Sequence, residues 1–165
     1  MCRTNQTANL LTGPPQNRRD DSAMLDRFLQ LSGLKIVCGG TTAKIVANYL
    51  NVPLTMENEP ANSMMPPQYG IKGINLTTEG AVTLNHLHNI LDEEYANIRE
   101  YSSATRLRWL LNAVDTVNII VGSAENTAHT DTLFRQYGLL PRKVLIPLLA
   151  EKLRQAGKLV HIEFV

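Results

Sequence analysis

Apolar residues along this chain fall into two alternating kinds of segment. Short runs, "ANLLT" at 8–12, "KIVC" at 35–38, "GINLT" at 73–77, "VNIIV" at 117–121 and "LVHIEF" at 159–164, have the length and β-branched content of buried strands. Between them the apolar positions recur at helical spacing. Met24, Leu25, Phe28 and Leu29 follow the N-cap types Asp20, Asp21 and Ser22, with Gly33 closing that helix. Ile45, Val46, Tyr49 and Leu50 form one face of a helix that starts near Thr41 or Thr42. Leu84, Leu87, Leu91 and Tyr95 share a third face, and Leu107, Leu110, Leu111 and Val114 a fourth, capped by Ser102 or Ser103. A last helix begins at Pro141, and its Pro147 predicts a kink or a late start.

Strands that alternate with helices argue for a mainly parallel sheet covered on both faces. The expected fold is therefore α/β, a three-layer sandwich with a Rossmann-like sheet of about five strands. Residues 1–165 read as a single domain with a flexible start at 1–6. One stretch breaks the rhythm: "NEPANSMMPPQYG" (58–70) carries three prolines and no period, and predicts a long loop, a lid, flap or surface excursion.

Four of the predicted strands end on a glycine, at Gly13, Gly39, Gly80 and Gly122. In a parallel sheet those turns gather on one rim, and in open α/β sheets that rim is where ligands bind. The turn Gly39-Gly40-Thr41-Thr42 opens a helix, so its backbone N–H groups and two hydroxyls form a candidate anion cradle. A tight turn with a threonine cap explains the same residues, and neither full phosphate-loop glycine signature is present. The segments 12–21 and 121–131 share a strand, a glycine and an asparagine four positions later, which predicts Asn17 and Asn126 side by side. Asparagine's preference for turns accounts for the match more simply, since matches this short arise by chance.

Glu79 is the one acid on the four turns, either a base or hydroxyl-orienting carboxylate, or a cap on the following helix. His129 sits in the 122–131 loop, where an imidazole can shuttle protons or do nothing. The rim candidates for ligand binding are thus Gly13, Asn17, Gly39, Gly40, Thr41, Thr42, Glu79, Gly122, Asn126 and His129. Cys38 reads as a small buried hydrophobe. His86 and His88 are two apart on a helix and face apart, so they make no metal pair.

Composition narrows the class. The chain has 165 residues, 44% of them hydrophobic, which suffices for one core. A net charge of +1 gives no footprint for nucleic acid or a membrane surface. The two cysteines make no disulfide framework, no metal-ligand spacing is present, and the start lacks a signal peptide's apolar region. The expectation is a cytoplasmic domain without metal or cofactor.

Four stretches taken together, "TGPPQNRRDD", "KIVCGGTTAKIVANYL", "MPPQYGIKGINLTTEGAVTL" and "VNIIVGSAENTAH", resemble the region that follows the catalytic domain in bacterial SpoIIE-like, PPM-type serine/threonine phosphatases. That family's pattern is GPP-x-N-R-x-D-D, VVCGGTT-x-x-IVARYL, PP-x-x-x-IEGIDLVTEG-x-x-TL and FFVGRAINPAH, and the match runs in order along nearly the whole chain. The resemblance implies a C-terminal accessory domain. The family's metal-binding aspartates lie upstream of the matching region, so no catalytic residue carries over. Where the pattern has two acids, this chain has Lys72 and Asn75.

Three functions fit. A binding module would sense a small anionic or hydroxylated metabolite, or dock a partner (the upstream phosphatase domain or its substrate protein). A stand-alone enzyme would act on a phosphorylated small molecule, as sugar-phosphate isomerases and deaminases do. A dimerisation domain would use the glycines only for tight turns and form a homodimer.

Overall fold

The computed structural model describes residues 5–58, 68–94, 101–124 and 136–165. β1 (Thr7–Thr12) leads through a 3-10 turn at Arg18–Asp20 into α1 (Asp21–Gln30), and β2 (Leu34–Cys38) runs directly into α2 (Gly40–Leu50). β3 (Thr55–Asn58) and β4 (Gln68–Gly70) pair antiparallel. β5 (Leu76–Thr78) is followed by α3 (Ala81–Ile90) and α4 (Ser103–Ala113), then by β6 (Thr116–Val121). α5 (Arg142–Gln155) and β7 (Leu159–Phe164) complete the described elements.

The strands form one sheet in the order β3-β4-β5-β2-β1-β6-β7. From β5 to β7 every pairing is parallel, while β4 runs antiparallel to both its neighbours. The central strands are apolar on both faces because both faces are covered. Leu10, Ile36, Cys38, Ile119 and Val121 join the core under α3, α4 and α5. Leu11, Val37 and Ile120, the alternate positions, pack beneath α1 and α2. This is the three-layer α/β sandwich that the periodicity predicts. One polar side chain, Asn9, lies fully buried in β1. Its amide donates to Ser32 O at 2.8 Å and its oxygen accepts from Asn118 at 2.8 Å, which satisfies it across two strands.

Several local expectations are corrected. The sheet has seven strands rather than about five. The ends of the expected loop 58–70 belong to β3 and β4, with Met56 opposite Tyr69 and Thr55 opposite Gly70; residues 59–67 lie outside the described part. Strands of three or four residues at a sheet edge show no readable alternation, so the pattern hides them. β5 begins at Leu76 rather than at 73, because Gly73 takes a positive φ of 93° in a turn closed by Ile74 N to Ile71 O at 3.0 Å. Gly33 does not close α1, which ends at Gln30. It sits at the entry to β2 with φ 102°, where a Cβ would strike the Thr7 carbonyl. α5 begins at Arg142 and runs on through Pro147, with no late start. Ser102 is the cap of α4, in a reciprocal capping box with Thr105. Tyr95 lies outside the described residues.

Candidate functional site

The parallel strands place Gly13, Gly39 and Gly122 directly after β1, β2 and β6, and Gly80 one residue beyond Glu79 after β5. All four turns share one rim. Neighbouring exits diverge there: α2 turns to the face it shares with α1, whereas α3 leaves β5 for the opposite face. Divergent exits open a crevice at the strand ends. Here it is a cavity of about 370 Å³ into which the starts of α2, α3 and α5 all open.

Gly39 and Gly80 stand back to back beneath it. Gly80 has φ 126°, and a Cβ on it would lie 2.8 Å from the Cα of Gly39, itself at φ 134°. No side chain fits between these turns, which is one reason for bare backbone there. Gly40 is different. Its φ is not in the left-handed region, and a Cβ on it would meet nothing within 4 Å among the described residues. Gly40 faces open cavity.

The three helix starts differ in how their leading N–H groups are used. In α2 the first intrahelical bond runs from Ala43 N to Gly39 O at 2.8 Å, which leaves the N–H groups of Gly40, Thr41 and Thr42 as the orphan donors. This start has no side-chain cap and no acid in its first turn. Thr42 is 1% exposed and lines the cavity. Thr41 is exposed at the mouth. In α3, by contrast, Glu79 supplies the anion: its Oε2 accepts from Val82 N at 3.1 Å, and the Thr83 N–H bonds it as well. Glu79 is therefore a helix cap that also lines the cavity. Burial pushes its carboxyl above the ordinary range, and the two backbone N–H groups pull the other way.

The third helix start carries a residue that the sequence reading missed. Arg142 opens α5 and reaches back over the rim, its Nη2 donating to Gly122 O at 2.8 Å and to Ala124 O at 2.6 Å. The guanidinium lies over Gly13 so closely that a Cβ there would overlap it. Gly13 thus serves to admit an arginine. Arg142 Nε is buried without a partner among the described residues, and burial works against the guanidinium's charge. A signal for it exists in the sequence: Pro141-Arg142-Lys143 puts two cations, and no acid, at a helix start whose dipole favours acids.

The cavity therefore unites Gly13, Gly39, Gly40, Thr41, Thr42 and Glu79 with Arg142. Gly122 stands behind them, its carbonyl held by Arg142. Asn17 is not part of it: it is exposed at the start of the 3-10 turn, where its carbonyl accepts from Asp20 N at 3.0 Å. Asn126 and His129 lie outside the described residues. Cys38 touches the cavity floor, fully buried, with its thiol pushed up to about 12 by burial above all, so it stays protonated at neutral pH. Among the described residues, no group of three or more His, Cys, Asp or Glu side chains could hold a metal ion, and no helix is long and apolar enough to cross a membrane.

Three orphan N–H groups, a buried hydroxyl and a guanidinium around one cavity are chemistry for holding an oxyanion. Compared with protein-family models, curated proteins and solved structures, the chain matches none.

Proposed function

We propose that this domain is a binding module whose rim cavity holds a small anionic ligand. The observation that carries the proposal is the pairing of an uncapped helix start, at Gly40-Thr41-Thr42, with the guanidinium of Arg142 in one cavity. The neighbouring helix start supports it by contrast: α3 has N–H groups bonded by Glu79, whereas α2 has no side-chain cap and its first residues line the cavity. The four ordered motifs described above support a setting for this module, as the C-terminal accessory domain of a SpoIIE-like serine/threonine phosphatase. In that setting ligand occupancy at the rim would control the attached phosphatase domain.

Thermal melting in the presence of phosphate, sulfate and citrate, each matched in ionic strength with sodium chloride, tests the reading. A ligand at about one hundred times its dissociation constant adds about 2.7 kcal/mol of stability, so a rise of several degrees is expected for at least one oxyanion. No rise above the chloride control for any of them would contradict it. The chain alone should leave an aryl phosphate unhydrolysed with manganese or magnesium present.

A second reading, an enzyme in its own right, is favoured by one observation: Glu79 is a carboxylic acid with a raised pKa inside the cavity. Its two backbone bonds assign it first to capping. Turnover of a sugar phosphate that is lost in Glu79→Gln would promote the enzyme reading over the binding module.

A further inference from the structure

The cavity is not uniformly basic, and that limits what it can bind. Arg142 contributes one positive charge and Glu79 one carboxyl group, on separate helix starts. The α3 start is closed to an incoming anion because Glu79 already occupies it. The α2 start is open, and beside it Thr42, 1% exposed, lines the cavity, while the buried Nε of Arg142 lacks a partner among the described residues. A ligand with negative charge throughout would be repelled at the Glu79 end. One with an anionic head and a hydrogen-bond donor further along meets a complementary group at each end.

Resting on the anion-binding reading above, we infer that the ligand is a small phosphate monoester carrying a free hydroxyl, with its phosphate at Gly40-Thr41-Thr42 and Arg142 and its hydroxyl donating to Glu79. A phosphate suits the head better than a carboxylate does. The cradle offers three backbone N–H groups, a hydroxyl and a guanidinium, which is more donors than two carboxylate oxygens use well. A volume of about 370 Å³ lies at the small end of the roughly 300–1,000 Å³ usual for ligand sites. That suits a phosphate on a body of a few carbons.

The experiment is calorimetric titration of the full chain with four probes: inorganic phosphate, ethyl phosphate, glycerol 3-phosphate and glycerol. Ethyl phosphate has the head without the hydroxyl, and glycerol the hydroxyls without the head. Glycerol 3-phosphate is expected to bind about tenfold tighter than ethyl phosphate, the worth of one hydrogen bond to a charged acceptor. Glycerol alone should not bind. In Glu79→Gln, whose amide oxygen can still cap α3, the tenfold preference should fall to about twofold or less. In Arg142→Gln all phosphates should weaken by tenfold or more. Gly40→Ala, which meets no neighbouring atom, does the same job should Arg142→Gln fail to fold. If no phosphate binds the wild type, the anion-binding reading itself fails. If phosphate and ethyl phosphate bind through Arg142 but the hydroxyl adds nothing, or the preference survives Glu79→Gln, only the inference about ligand class is overturned.

Discussion

Two alanine substitutions on the same rim should behave in opposite ways, although both replace a glycine. At Gly122 a new Cβ would lie well under 3.0 Å from the carbonyl oxygens of both Gly13 and Pro14. These are backbone atoms, so no rotamer change relieves the contact, and the β1 and β6 turns must separate. Overpacking of that kind costs about 1–3 kcal/mol. Separation also loosens the bonds from Gly122 N to Thr12 O (2.9 Å) and from Ala124 N to Pro14 O (3.1 Å). At about 1 kcal/mol each, the total for Gly122→Ala reaches about 3–5 kcal/mol. In a domain of this size 1 kcal/mol moves the midpoint by about 2–4 °C, so a drop of about 10 °C is expected. Gly40→Ala should differ. Its Cβ meets nothing, and alanine is favoured over glycine in a helix by about 0.5–1 kcal/mol, so the midpoint should hold or rise by about 2 °C. Circular dichroism melts with parallel urea titrations measure both. A Gly122→Ala variant that melts with the wild type, or a Gly40→Ala variant that loses as much as Gly122→Ala, would refute the description of the rim.

Three further outcomes follow from the same structure. Ser102→Ala removes one half of the α4 capping box and should cost about 1 kcal/mol, visible as a lower urea midpoint with an unchanged slope. In a Cys2→Ser background, Cys38 should resist Ellman's reagent until the chain is unfolded, because its thiol is buried and its pKa raised; fast labelling of the native protein would disprove that. Folding raises the pKa of Glu79, so its contribution to stability is fullest below the ordinary glutamate value of about 4.3 and is lost as pH rises through the folded value. Glu79→Gln should therefore gain on the wild type as pH is raised from 4 to 7 in urea titrations, and a difference independent of pH would count against a buried carboxyl there.

The layers of this fold were legible because both faces of the central strands are covered. Runs such as Ile36-Val37-Cys38 and Ile119-Ile120-Val121 are apolar throughout, and the helices between them carry clear faces. β3 and β4 were not, since strands this short at an edge leave no periodic signal. The rim followed from topology alone: parallel strands ending in glycine bring their turns together wherever the intervening helices lie. What each glycine is for did not follow. Gly80 and Gly122 make room for backbone, Gly39 for the Thr42 side chain and Gly13 for Arg142, while Gly40 makes room for nothing among the described residues. Arg142 itself lies far along the chain from the other cavity residues, and only its awkward place at a helix start hints at a task. Asn17 is the opposite case: a short sequence match grouped it with the rim glycines, and it stands exposed at the start of the 3-10 turn, outside the described lining of the cavity.

The most direct test is whether the orphan N–H groups of α2 receive an oxyanion. In a ¹⁵N-resolved titration of the full chain with inorganic phosphate, the amide signals of Gly40, Thr41 and Thr42 should move together along one saturating curve. The same curve should describe the Nε–H signal of Arg142, while the Val82 and Thr83 amides, already bonded to Glu79, shift little. Saturable shifts confined to other surfaces such as Arg18 and Arg19, or no saturable shift at Gly40 through Thr42, would contradict an anion site at this rim.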